Sequence, residues 1–227
     1  MSLAERYGLV KSQIAEATTR AGRGADEVTL IVVTKNHPTR LVFDLLDLGA
    51  RDFGENRDQE AAPKAAEVRA TQAPEHRWHF IGQLQSNKVK SVIEYASSVH
   101  SLDRQSLLEA LGKATANRPA PLDVFIQLNL TDDPARGGIQ FADLHPFAEK
   151  VLQHRGLRLV GVMGVASLDQ QLERDFSAIR SASERLQELA PEANLISAGM
   201  SEDFATAIAY GATHLRIGTA ITGNRQY

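Results

Sequence analysis

Cysteine is absent from the 227 residues of this sequence. Its absence excludes disulfide bonds, thiolate nucleophiles, iron–sulfur clusters and zinc sites built on cysteine. The chain also has no run of about eighteen apolar residues, and its N-terminus lacks the basic-then-apolar order of a signal peptide. We therefore expect a cytoplasmic protein that neither spans nor binds a membrane.

An excess of charge of either sign is also missing. The formal net charge is −3, and the basic residues are scattered among the acidic ones. A nucleic-acid-binding protein needs a basic surface that neutralises phosphates, so nucleic acid is not an expected partner. Hydrophobic residues make up 43% of the chain and charged residues 23%. This composition predicts one domain, residues 1–227, around one core.

Several catalytic and metal-binding motifs are missing too. The histidines show no His-x-x-x-His spacing, and the chain has no Gly-x-Ser-x-Gly turn and no Gly-x-x-x-x-Gly-Lys loop. These are the motifs of zinc enzymes, serine hydrolases and nucleotide triphosphatases. We therefore predict no metal site, and we expect neither a serine hydrolase nor a nucleotide triphosphatase.

Segments with strand and helix patterns alternate along the whole chain. Eight strands separated by helices predict a (β/α)8 TIM barrel, with a doubly wound open sheet as the structural alternative. The predicted strands are Val28–Thr34, Asp52–Gly54, Trp78–Ile81, Ser98–Ser101, Leu122–Leu130, Leu157–Val165, Asn194–Ser197 and Thr213–Ile217. The predicted helices are one over Leu3–Ala17, Pro38–Leu48, one from Arg57, one from Asn87, Arg104–Ala114 capped by Asp103, Phe141–Gln153, Leu168–Leu189 and Ser201–Tyr210.

Lys35 follows the first predicted strand, whose apolar and β-branched residues indicate burial on both faces. Pro38 suits the first turn of a helix, so Lys35 lies on a strand-to-helix loop. In a (β/α)8 barrel these loops form the active face. An amine at this place is a candidate for Schiff-base chemistry, but position alone favours the alternative of a lysine that simply leaves the strand for solvent.

Two later loops have the residues of an anion site. Ser201 follows strand seven, and its hydroxyl and the first backbone N–H groups of a helix would hold a phosphate. Gly218 and Thr219 follow strand eight and offer a close backbone approach, an N–H and a hydroxyl. The loops after strands seven and eight form the usual phosphate site of such barrels. A helix cap at Ser201 and a turn at Gly218 are the structural alternatives.

Arg216 places a permanent charge inside the barrel or at its mouth, where it needs an acidic partner or a ligand. Glu55 is one candidate partner. Asn56, which ends the second strand, either contacts a ligand oxygen or caps the next helix. His79 lies in an apolar strand and is interpreted as a core histidine without a catalytic role.

Five blocks in register resemble the pyridoxal 5′-phosphate (PLP) homeostasis protein family. The resemblance covers essentially the whole chain. The blocks are Thr34-Lys35, Phe53-Gly54-Glu55-Asn56, the segment from Trp78 to Lys88, the segment from Gly199 to Asp203, and Arg216-Ile217-Gly218-Thr219.

The resemblance implies a single barrel similar to the N-terminal domain of alanine racemase. It implies that PLP is carried as an aldimine on Lys35, with phosphate contacts from Ser201, Gly218 and Thr219. It also implies a role in cofactor binding and homeostasis without known turnover.

In the same resemblance Arg216 faces the pyridine nitrogen of the cofactor, and Asn56 and Met163 line the ring. Because arginine only donates hydrogen bonds, that nitrogen stays unprotonated, and the ring is a weaker electron sink. Racemases of similar geometry use a tyrosine acid/base from a second domain, which has no counterpart here. The leading hypothesis is a monomeric carrier that buffers PLP and delivers it to apo-enzymes, with no catalytic residue.

The sequence departs from the family pattern at two lysine positions. His37 replaces a lysine near Lys35, and Arg136 replaces one that often precedes Gly-Ile-Gln. Neither side chain forms an imine, so the rate of cofactor transfer is an open question. Two other functions stay open at this point. One is an amino-acid racemase or other PLP-dependent enzyme, and the other is a phosphate-binding barrel without a covalent cofactor.

Overall fold

The computed structural model describes residues 1–131, 133, 136–167 and 171–223. Eight parallel strands form a closed barrel in chain order, and β8 pairs with β1. The predicted TIM barrel is therefore confirmed, and the open sheet is wrong. The strands are β1 Thr29–Val33, β2 Asp52–Glu55, β3 Arg77–Phe80, β4 Ala96–Leu102, β5 Leu122–Gln127, β6 Leu157–Met163, β7 Leu195–Ser197 and β8 His214–Ile217.

Helices surround the barrel between successive strands. Short 3₁₀ segments at Ala25–Glu27, Ser86–Lys88 and Phe141–Asp143 lead into β1, α4 and α6. The α-helices are α1 Leu3–Arg20, α2 Thr39–Asp47, α3 Asp58–Arg69, α4 Val89–Val92, α5 Gln105–Thr115, α6 Leu144–Leu152, α7 Leu172–Leu189, α8 Phe204–Ala209 and α9 Thr219–Thr222.

Most predicted elements are present, but several ends differ. α5 begins at Gln105 with Arg104 as its N-cap. The predicted cap Asp103 instead accepts hydrogen bonds from Arg104 Nη1 at 2.7 Å and from Gly138 N at 3.3 Å. The first part of the predicted helix Leu168–Leu189 lies outside the described residues.

Alternation of side chains along β8 divides the molecule into an inner and an outer layer. Leu215 and Ile217 are fully buried in the apolar core between strands and helices. His214 and Arg216 point the other way, into the barrel, where His214 packs on the ring of Phe125 at 5.3 Å. The outer layer is mostly apolar, whereas the barrel interior contains several polar side chains.

A register shift changes which residues of β6 enter the barrel. Val124 pairs with Leu159, but the next residue, Phe125, pairs with Gly161, so β6 has one extra residue at this point. Such a bulge interrupts strict alternation. As a result Val160 and Met163 both pack with Phe125 inside the barrel.

Candidate functional site

The predicted site residues lie where strands end. Lys35 follows β1, Asn56 follows β2, Met163 is the last residue of β6, and Gly218 follows β8. The carboxyl ends of all strands in a parallel barrel meet at one mouth, which is where such barrels carry their active sites. We call this end the upper mouth and the opposite end the lower mouth.

The loop after β1 holds Lys35 at the surface of the upper mouth. Lys35 is exposed, so its amine is open to a ligand but not desolvated. Asn36 has a φ of 60°, and its backbone N–H donates to Glu60 Oε2 at 2.7 Å. The N–H of His37 donates to Thr34 O at 3.2 Å. These bonds fix the turn that carries the lysine.

A buried ion pair lies beneath this loop, outside the barrel wall. Lys64 Nζ donates to Glu55 Oε1 at 2.7 Å and to Thr34 O at 2.9 Å. Thr34 Oγ1 donates to the same carboxylate oxygen at 2.7 Å. Burial raises the pKa of Glu55 although Lys64 opposes that shift. The suggested pairing of Glu55 with Arg216 is therefore wrong, because the two side chains point to opposite faces of the sheet.

Arg216 is buried inside the barrel, with 6% of its surface exposed. Its Nη1 donates to Ser197 Oγ at 2.6 Å and its Nη2 to Gly164 O at 2.8 Å. Burial lowers the pKa of Arg216 to about 10, and the charge of Asp203 opposes this shift. The guanidinium stays protonated at neutral pH, and these two bonds use two of its five N–H groups.

Ser201 lies in a turn after β7 and not in the first turn of a helix, as the sequence had predicted. α8 begins at Phe204 because Asp203 closes the turn: its Oδ1 accepts from Met200 N at 2.5 Å. Within the described residues, neither the hydroxyl nor the backbone N–H of Ser201 forms a hydrogen bond with another protein group. Ser201 is therefore available to an anion, but as part of a turn.

Thr219 is the first residue of a short helix, α9, that the sequence pattern did not predict. Gly218 precedes it, and a Cβ there would lie 3.5 Å from Val33 Cβ at the end of β1. No hydrogen bond in the described part of the chain uses the backbone N–H of Gly218 or Thr219. The loop after β8 therefore offers two unused donors beside the strand that leads to Lys35.

Asn56 and Met163 lie at two further strand ends of the upper mouth, Asn56 after β2 and Met163 at the end of β6. Asn56 Oδ1 is buried and has no hydrogen-bond partner among the described residues. Its backbone is covered by Gly82, where a Cβ would come within 2.2 Å of Asn56 O. Met163 is 3% exposed inside the barrel, in register with Ser197. Asn56 therefore offers an unsatisfied acceptor, and Met163 an apolar surface.

A row of polar side chains continues from Arg216 down the barrel interior, and sequence reasoning did not find it. Ser197 Oγ lies 2.8 Å from His100 Nδ1. His100 Nε2 lies 3.1 Å from His79 Nδ1, and His79 Nε2 lies 2.8 Å from Asp52 Oδ1. His79 is a buried histidine, as predicted, but it is part of a polar row. The only signal in the sequence was polar residues at alternate positions of predicted strands.

Ser98 bridges the two histidines of this row. Its Oγ lies 2.7 Å from His79 Nδ1 and 3.0 Å from His100 Nε2. The ring of His100 stacks on Phe125, with centroids 4.3 Å apart. At the lower mouth Arg77 Nε lies 2.7 Å from Asp52 Oδ1, and its side chain is exposed. The row thus reaches from the upper mouth to solvent at the lower mouth.

Two cavities open near the two ends of the barrel. One of about 540 Å³ opens beside the upper mouth and includes Asn56, but none of the other predicted site residues. The other, of about 390 Å³, opens at the lower mouth and reaches His79, Phe125 and His214. We place the candidate site at the strand ends, because the reactive amine and the unused donors lie there and not in either cavity.

Among the described residues no group of three or more histidine, aspartate and glutamate side chains is arranged to hold a metal ion. No helix in the described ranges combines the length and the apolar character needed to cross a bilayer.

Comparison with known proteins gives full-length matches. Residues 9–226 match the family model for the N-terminal domain of alanine racemase. The chain is 37% identical over 228 residues to the pyridoxal phosphate homeostasis protein of Escherichia coli K12, covering 99% of this chain and 97% of the relative. It is 39% identical over 230 residues to the protein of that name from Pseudomonas aeruginosa, covering 100% and 97%.

Solved structures show the same relationship. PipY of Synechococcus elongatus, solved with PLP bound, superposes with a TM-score of 0.85 at 32% identity, covering 98% of this chain and all of PipY. Alanine racemase of Corynebacterium glutamicum has a TM-score of 0.71 at 13% identity. The match covers 96% of this chain and 61% of the racemase, and it shows the shared fold alone.

Proposed function

This chain belongs to the pyridoxal phosphate homeostasis protein family, and on that premise we propose that it is a cytoplasmic carrier of PLP. As a carrier it binds the cofactor, limits free aldehyde and supplies apo-enzymes. The observation that supports this most directly is that Lys35, Arg216 and the loop of Gly218 lie at one mouth of the barrel, on neighbouring strands.

The residues present fit the cofactor. A phosphate accepts hydrogen bonds, and Ser201, Gly218 and Thr219 have donors that no protein group uses in the described residues. Arg216 has N–H groups left over to donate to a ring nitrogen. The carboxamide of Asn56, whose Oδ1 is unsatisfied, would line the ring. Each of these groups is incompletely satisfied by the protein alone, as expected of a ligand site.

Lys35 is the residue that we propose to hold the cofactor covalently. PLP supplies an aldehyde, and a primary amine condenses with an aldehyde with loss of one water. Lys64 is unsuited to this reaction because its amine is buried and bound to Glu55 and Thr34. Lys35, in contrast, is exposed on a loop held by Glu60.

The positions of the tyrosines support a role as a carrier and not as an enzyme. Of those the structure describes, Tyr7 lies in α1, Tyr95 between α4 and β4, and Tyr210 at the end of α8. None of these positions is at the carboxyl end of a strand. Arg216 opposes protonation of the ring nitrogen and so weakens carbanion stabilisation. None of the three described tyrosines is therefore placed to act as the acid/base that the racemases use.

The covalent site is tested by absorbance after addition of PLP, followed by borohydride reduction and peptide mass mapping. We expect a visible band that reduction removes, with the added mass on Lys35. Lys35→Arg keeps the charge but removes the reactive amine, so the band should be lost. Lys88→Ala, at the rim of the neighbouring cavity, should retain it. Added mass on another lysine in the wild-type protein would contradict the assignment.

The carrier role has a separate test. The loaded protein is mixed with an apo-enzyme that depends on PLP, and recovery of that enzyme's activity is followed. We expect recovery with the wild-type protein. Incubation of the loaded protein with L-alanine and other amino acids, followed by chiral analysis, should show no turnover above that of free PLP. Steady racemisation well above free PLP would establish an enzyme instead.

A further inference from the structure

The polar row inside the barrel has a fixed direction, because its two ends have opposite hydrogen-bonding capacity. Arg216 at the upper end only donates. At the lower end burial disfavours the ionised form of Asp52, but hydrogen bonds from His79 and Arg77 outweigh burial and lower its pKa. Asp52 is therefore a carboxylate that only accepts. If His79 is neutral, every bond between them must point from Arg216 towards Asp52, because otherwise two acceptors would meet at the two histidines.

The two histidines can satisfy this direction in one tautomeric form only. His79 Nε2 must carry a proton, because it lies 2.8 Å from the Asp52 carboxylate. In a neutral His79 the other nitrogen, Nδ1, is then an acceptor. His100 Nε2 lies 3.1 Å away and must carry a proton, since two lone pairs would otherwise face each other. The bridging Ser98 hydroxyl gives the same answer when it donates to His79 and accepts from His100.

Ser197 completes the row. With the proton of His100 on Nε2, its Nδ1 accepts from the Ser197 hydroxyl at 2.8 Å. The oxygen of Ser197 is then free to accept from Arg216 Nη1 at 2.6 Å. No donor faces a donor, and no acceptor faces an acceptor. The row thus links the guanidinium to a carboxylate at the other end of the barrel.

We propose that His79 and His100 are positioning residues that orient Arg216 through Ser197 and connect it to Asp52. Barrel interiors are usually filled by branched apolar side chains, and buried polar groups cost free energy unless they are all paired. Here six polar side chains pair in one row, which holds the guanidinium in place and leaves its remaining N–H groups to the upper mouth. They are Arg216, Ser197, His100, Ser98, His79 and Asp52. The effect on the cofactor rests on the proposed function.

The first test needs no cofactor. Two-bond 15N–1H correlation spectra of the imidazoles in the apo protein near neutral pH report the charge and tautomer of each ring. We expect His79 and His100 to be neutral, each with its proton on Nε2. A proton on Nδ1 of His100, or a charged His79, would reverse the row and overturn the proposal. This result stands whether or not the protein binds PLP.

The second test compares the same substitution at two interior histidines. His100→Phe keeps an aromatic ring on Phe125 but removes the row's central link. His214→Phe is the matched control, because His214 also contacts the Phe125 ring but bonds Thr213 Oγ1 instead. We expect His100→Phe to weaken PLP binding about tenfold, the scale of one net hydrogen bond. His214→Phe should change it less than about twofold.

The outcomes separate this proposal from the proposed function. If the wild-type protein binds no PLP, the proposed function fails, and the spectra of the apo protein still decide the row. If the wild-type protein binds PLP and both phenylalanine variants bind it equally well, the positioning role is wrong. Should His100→Phe not fold, Ser197→Ala provides the same comparison with a smaller change, and unchanged affinity would again contradict the proposal.

Discussion

Two buried cations lie on opposite sides of the same barrel wall, and they are satisfied in different ways. Lys64, outside the wall, contacts the Glu55 carboxylate directly at 2.7 Å. Arg216, inside, donates hydrogen bonds among the described residues only to neutral groups, Ser197 Oγ and Gly164 O. The carboxylate of Asp52 reaches it only through the intervening row. Strand alternation explains the difference, because Glu55 points away from the interior into which Arg216 points.

The difference separates a bond that stabilises the fold from one that, in the proposed function, positions a ligand-binding group. Lys64 donates to Thr34 O and to Glu55, and these contacts fasten the end of β1 to β2 and α3. Arg216 has donors left over and lies where a ligand would complete its hydrogen bonding. We therefore expect changes at Lys64 to act mainly on the free energy of unfolding. Changes around Arg216 should act mainly on binding.

The largest expected effect comes from breaking the outer pair. Lys64→Met leaves the carboxylate of Glu55 buried without its cation. Removing one partner of a buried pair typically costs about 3–5 kcal/mol, because the remaining charge is uncompensated. We expect a loss of that order in the free energy of unfolding, measured by urea denaturation at neutral pH.

The double variant Lys64→Met/Glu55→Gln is the control for this prediction. It removes both charges and keeps a side chain of similar size at each position. Replacing a buried pair by uncharged residues is often nearly neutral, so most of the lost stability should return. A loss of less than about 1 kcal/mol in the single variant would mean that water reaches Glu55, and that the two cations differ less than described.

A second prediction concerns the neutral histidines of the interior. Burial lowers the pKa of His214 to about 3 and that of His100 well below its ordinary range. The unfolded chain binds a proton at each site below about pH 6.5, whereas the folded protein does not. Stability is therefore lost as the pH falls from 6.5, by up to about 1.4 kcal/mol per pH unit for each histidine.

His214→Phe isolates one of these contributions. The free energy of unfolding of the variant should fall less steeply with falling pH than that of the wild-type protein. Between pH 6.5 and 5 the two slopes should differ by up to about one bound proton, which is about 1.4 kcal/mol per pH unit. The comparison cancels the opposite contributions of Glu55 and Asp203, whose pKa values are raised by burial. Urea denaturation across this pH range gives the slopes. Parallel curves would show that His214 is protonated in the folded protein.

The upper mouth could be predicted from the sequence, but the bonds beneath it could not. Strand order alone places Lys35, Ser201 and Gly218 at one end of a barrel, because parallel strands all end there. The partner of Arg216 depends on which side of each strand faces inward. That depends on register and on the extra residue in β6. Ser201 was assigned to a helix because nothing in the local pattern shows that Asp203 closes a turn first.

The smallest expected effect concerns the hydrogen-bonded link between the two histidines of the row. Ser98→Ala removes the bridging hydroxyl but leaves the direct contact of 3.1 Å between His79 Nδ1 and His100 Nε2. We expect a loss of less than about 1 kcal/mol in the free energy of unfolding and an unchanged tautomer of His100. Ser101→Ala is the control, because its Oγ is buried without a partner in the described residues, and its removal should cost nothing. A switch of the His100 proton to Nδ1 in Ser98→Ala would mean that Ser98 sets the direction of the row, so that Asp52 would not be connected to Arg216 through the rings themselves.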